Sequence, residues 1–103
     1  RMMKDKIKSY EEKINNTHLR VRNRLISEAE KLNIDPFIDS LTFVTPLIAE
    51  QTLTQFKLDI ADSIKQIKLA SMTRVERRLK NLKRGIESDF SLIKSYTNSI
   101  NKS

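Results

Sequence analysis

Six basic side chains crowd eleven positions in the last third of this sequence: Arg74, Arg77, Arg78, Lys80, Lys83 and Arg84, with Glu76 the one acid among them. Like charges this close repel one another, so a partner of opposite sign is implied. Phosphate suits them, because arginine grips an oxyanion through two parallel N–H donors and lysine adds a point charge. On a helix Arg77, Lys80 and Arg84 would oppose the apolar stripe, with Arg78 and Lys83 flanking it. The same outer face then carries Ser88, Ser91, Ser95 and Asn98, small groups that let a polyanion approach. A second outer row, Lys13, Arg20, Arg24, Ser27 and Lys31, runs along the N-terminal segment. Packed side by side, the two rows would make one basic surface. The plainer alternative is a solvated helix face, with Arg24–Glu28, Lys83–Glu87 and Lys8–Glu12 pairing four residues apart for roughly 0.3 kcal/mol each. No aromatic is interleaved with the charges for stacking on single strands, which favours contact with a duplex backbone over base reading.

Catalysis and metal binding find little to work with. The chain has no Cys, hence no thiolate nucleophile, disulfide or zinc-thiolate site, and a single His cannot build a multi-histidine metal cage. That residue, His18, falls on an apolar stripe and reads as a partly buried histidine bonded to a carbonyl. Asp35 and Asp39 stand one helical turn apart, but beside Pro36 they suit a helix cap and a first-turn dipole partner. Asp59 and Asp62, among Lys57 and Lys65, read as a solvated face. None of the Gly-rich phosphate loops, zinc-protease or nucleophile-elbow signatures occurs. We therefore expect no catalytic residue, no metal ligand and no cofactor.

The elements that must position the charges are helical. With 103 residues the chain supports one domain, and its one Gly and two Pro argue against sandwiches, barrels and nucleotide-binding folds, which need glycine at tight turns. At 38% hydrophobic residues there is enough aliphatic surface for a core. The longest uncharged run, Ser40 to Ala49, is half of what a membrane crossing needs, and no signal peptide is visible. Opening on Arg1 rather than Met, the sequence reads as an excerpt of a larger chain or a processed product.

Residues 2–33 read as one long amphipathic helix with the stripe Ile7, Tyr10, Ile14, His18, Val21, Leu25, Ala29 and Leu32. This is an eleven-residue repeat, whose stripe barely winds and so expects a partner helix straight alongside. Asp35-Pro36 predicts a short helix over 36–43, and Thr45-Pro46 starts another. The dense apolar residues between and after them, from Phe37 to Ile48, should close one end of the core. A stripe through Leu53, Phe56, Ile60, Ile64 and Ile67 gives a helix over 46–70, and the capping-box pattern Thr73-Arg74-Val75-Glu76 starts the last, 74–101. Opposite its main stripe the 46–70 segment and its end show Leu58, Ala61, Leu69 and Met72, a second apolar side that either is covered because this helix sits between the first and last ones or forms a protein interface. The expected architecture is all-α: an up-and-down bundle of three long helices and one short one.

Net charge is +7 overall, made of +4 over residues 1–33, −2 over 34–43, zero over 44–70 and +5 over 71–103. The sequence thus predicts a non-enzymatic structural or assembly protein, of packaging, coat or architectural type, whose outer face contacts nucleic acid or another polyanion without strong sequence preference. The alternative is an interaction module that packs against copies of itself or another helical protein, with no nucleic-acid role.

Overall fold

The N-terminal stripe does form a helix, α1, Met2–Lys31, and it ends for a visible reason. Asn33 takes a left-handed conformation (φ 55°), Asn33 N–H bonds to the Glu30 carbonyl and Ile34 N–H to that of Ala29. These are the two bonds of a Schellman cap, with half-buried Ile34 over buried Ala29 as its apolar contact. The second helix, α2, Pro46–Ser63, opens as its sequence predicts: Thr45 Oγ1 accepts the Ile48 N–H at 3.2 Å and Pro46 fills the first turn. The third, α3, is Leu69–Lys102. The chain is seen in a computed structural model describing residues 2–36, 38–39, 42–63 and 69–102; of residues 2, 3, 63 and 69–72 it describes the backbone only. Among the described residues the protein is all-α with no strand, and no helix is long and apolar enough to cross a membrane.

Two expected boundaries are corrected. Described residues within 36–43 are not helical. Instead Asp39 N–H bonds to Thr42 Oγ1, which in turn donates to Asp39 Oδ1. Ile38 and Val44 are both buried, yet they would point about 120° apart on a continuous helix. An irregular course turns both inward, and a lone short helix would also bear the cost of nucleation. The capping box at Thr73 lies inside α3 rather than at its start, and the helix expected over 46–70 is described to Ser63, with residues 64–68 outside the described residues. Within a continuing helix the donors that Thr73 would cap find carbonyls four residues back.

α1 and α3 lie antiparallel in constant register. As α1 advances from Tyr10 through Arg20 to Glu28, its partners on α3 recede from Tyr96 through Asp89 to Arg78, so eighteen residues of one match eighteen of the other. Contact is thus sustained along both helices, so α3 is the partner that the α1 stripe calls for. The His18 and Phe43 rings stand 4.5 Å apart, which sets the start of α2 halfway along α1. With so few residues between Ser63 and Leu69, α2 packs antiparallel to α3 and so runs in the same direction as α1. This corrects the expected up-and-down order: the chain returns from the end of α1 to the level of His18 without a helix among the described residues. The core lies under α2: Val21, Leu25, Ala29, Ile38, Val44, Ala49, Leu53, Phe56, Ile60, Leu79 and Ile86. The molecule measures 61 × 23 × 18 Å. Its far end, residues 4–16 with 91–102, is a two-helix stalk in which no residue is fully buried.

Candidate polyanion-binding face

All ten basic residues singled out in the sequence are exposed: Arg74, Arg77, Arg78, Lys80, Lys83, Arg84, Lys13, Arg20, Arg24 and Lys31. They fall into two sets. Arg74, Arg77, Lys80, Arg84 and Lys31 make no ion pair among the described residues. The other five have partners, and four of the five reach a partner on another helix.

Asp89 of α3, 4% exposed, is the centre of the largest cluster. Arg20 reaches it through Nη2 at 2.8 Å and Nε at 3.2 Å, both to Oδ1, and Arg24 Nη1 stands 3.4 Å from Oδ2. The hydrogen bond and charge of Asp89 raise the Arg20 pKa above its ordinary value. One turn further on, Arg78 Nε stands 2.5 Å from Oε1 of Glu28, itself 8% exposed. Asp89 Oδ2 and Glu28 Oε1 complete no hydrogen bond and are held by charge alone. Gly85 makes the approach of Arg24 possible: a Cβ there would collide with the guanidinium. Lower down, Lys13 Nζ lies 5.4 and 5.7 Å from the ring centres of Tyr10 and Tyr96, a cation–π arrangement over two stacked helices. Only Lys83–Glu87, at 4.0 Å, forms as a within-helix pair of the kind the sequence suggests. Arg24 and Glu28 turn to partners on α3 instead.

Two open grooves border the outer ridge of α3. They are of nearly equal volume, about 730 and 720 Å³, so size does not separate them and charge must. The groove between α2 and α3 has Lys57, Lys80, Lys83 and Arg84 facing Glu50, Glu76 and Glu87, and all three acids are exposed. The groove between α1 and α3 has Arg20, Arg24, Lys31 and Arg78, with Glu28 as its single lining acid. Here the lining acid is buried and the cations are exposed, with buried Asp89 bonded to Arg20 from outside the lining.

The four residues read as an interface do not share one helix. Leu58 (55% exposed) and Ala61 lie on α2. Leu69 and Met72 belong to α3, their side chains outside the described residues. The apolar 37–48 stretch also divides: Ile38 and Val44 are buried, Phe43 and Leu47 are exposed, and Phe37 and Leu41 lie outside the described residues. Phe43 covers His18, whose ring is hydrogen-bonded to the Val44 backbone while Nδ1 is buried without a partner. Burial lowers the His18 pKa, and the Val44 bond opposes this in part. Among the described residues no group of three His, Asp or Glu side chains could hold a metal ion.

Asp89, Glu28 and Gly85 were not foreseen as parts of this face. Asp89 carries a signal: it falls three residues after Ile86 and four before Ile93, inside the apolar arc of α3. An acid there, facing a helix rich in Arg, implies a pair across the interface. Comparison with protein-family models, with curated proteins and with solved structures finds no significant match.

Proposed function

We propose that this chain is a non-enzymatic structural protein, a helical bundle whose basic outer face contacts the backbone of nucleic acid without strong sequence preference, as a packaging, coat or architectural protein does. One observation carries the reading. Arg74, Arg77, Lys80 and Arg84 follow one ridge of α3, exposed and without carboxylate partners among the described residues. Had carboxylates of the same molecule captured Arg77 and Arg84, only Arg74 and Lys80 of this ridge would be left for a ligand.

Salt dependence tests it. If Arg74, Arg77, Arg78, Lys80, Lys83 and Arg84 each neutralise one phosphate, log K for a DNA duplex falls with log salt at a slope of about −5. A slope near zero, or no binding at low salt, overturns the proposal. A second reading, a protein-interaction module, is favoured by the uncovered apolar side chains Phe43, Leu47 and Leu58. It predicts a species larger than the monomer in sedimentation, which Leu58→Lys breaks up.

A further inference from the structure

We infer that the groove between α1 and α3 is a preformed seat for phosphodiester groups, with Arg20, Arg24 and Arg78 as its ligands and the buried Asp89 and Glu28 as the posts that aim them. This rests on the polyanion reading above and names which groove takes the phosphates. An arginine already paired is commonly counted as lost to a ligand. Here the geometry argues otherwise. Arg20, Arg24 and Arg78 keep 47%, 42% and 45% of their side-chain surface open, while the acids beneath keep 6% and 10%. Each guanidinium has five N–H donors, and the pairs use one or two of them. All three arginines line the groove, where Asn23, Ser27 and Asn81 add neutral polar groups and Lys31 a further charge.

Charge and order both favour this groove. Four cations against two buried acids leave a surplus of two, and an approaching anion meets no exposed carboxylate in the lining. The α2–α3 groove offers the same number of cations interspersed with three exposed acids. Side chains fixed in advance also lose less freedom on binding than the unpaired bases of the α3 ridge. Gly85 adds an independent sign of construction. A glycine inside a helix weakens it relative to alanine, yet the chain's single glycine stands where it lets Arg24 lie against the α3 backbone.

Two substitutions separate an aimed seat from a diffuse basic surface. Asp89→Asn adds one unit to the net charge of +7, so a diffuse surface binds a labelled DNA duplex more tightly. An aimed seat binds it more weakly, because Arg20 and Arg24 lose their post. Gly85→Ala leaves the charge unchanged and improves helix propensity, and the flexible Arg24 tip yields to the new methyl group at little cost in stability. The expected result, by fluorescence anisotropy on the folded chain, is about tenfold weaker binding for Gly85→Ala, the loss of one charge-assisted contact. If Asp89→Asn fails to fold, Gly85→Ala decides alone. Wild-type binding with Gly85→Ala as tight as wild type overturns the seat and leaves the polyanion reading standing. Absence of wild-type binding at low salt overturns both.

Discussion

The two halves of this molecule carry the same sequence pattern and meet different fates. Along α1 the stripe residues Ile7, Tyr10, Ile14 and His18 are half-buried, whereas Val21, Leu25 and Ala29, the next three in the same repeat, are sealed from solvent. On α3, Leu79 and Ile86 are buried, while Ile93, Tyr96 and Ile100 are half-buried. The cause is the length of α2. Its 18 residues span about 27 Å, against about 51 Å for the 34 of α3, and it starts at the level of His18. Above that level three helices enclose a core; below it two helices can only press one stripe against another. The stalk relies on smaller devices, the Tyr10–Tyr96 ring pair at 5.9 Å and the Lys13 ammonium above it. Periodicity therefore tells which face turns inward, and the reach of the third element tells how deep it goes.

The sharpest way to break this contrast is a matched pair of truncations. Phe56→Ala, in the covered half, should cost about 3–5 kcal/mol in denaturant unfolding, since its side chain is fully buried. Ile14→Ala, on the stalk, should cost about 1–2 kcal/mol, because part of that side chain is already wet. Equal losses would mean that the stalk is as well covered as the core.

A smaller effect belongs to the junction between the halves. His18 lies there between Phe43 and Phe90, and burial lowers its pKa below the ordinary 6.5. The unfolded chain then binds more protons than the folded one between the lowered value and 6.5, so stability rises with pH across that window. It is complete above about 6.5 and declines as the pH drops through the folded value. Protonation also sets an N–H on the buried Nδ1, which has no acceptor among the described residues. The melting temperature should be lower at mildly acidic pH than at neutral pH, and His18→Gln should remove that difference. A difference that persists in the variant would assign the titration to other groups.

Much of the fold was legible because it is set by local chemistry. The apolar stripe forecasts α1 and a partner helix along it, and Thr45-Pro46 gives the start of α2. Asp35-Pro36 and Thr73–Glu76 carry equally good cap patterns and start no helix. A cap pattern states what a helix start would use, whereas tertiary burial, as at Ile38 and Val44, decides whether the chain starts one. The candidate site divides in the same way. Exposure of the ten bases follows from the helical wheel, since each lies away from its stripe. Their division into free and paired sets depends on register between α1 and α3, which no spacing within one helix contains. Arg24 and Glu28 show this: adjacent by sequence rule, they bond to Asp89 and Arg78 on the opposite helix.

That division yields the smallest expected effect on stability. Arg77 is exposed on the outer ridge of α3 and makes no ion pair among the described residues. Arg77→Ala should change the unfolding free energy by no more than about 0.5 kcal/mol. It removes one of several like charges on a single helix face, so any change should lean towards stabilisation, and more so at low salt where repulsion is least screened. The same variant should make the slope of log K against log salt for a DNA duplex shallower by about one unit. A large loss of stability would mean that Arg77 has a partner within the fold, and the ridge would then be one more ion-pair network rather than a surface kept for a ligand.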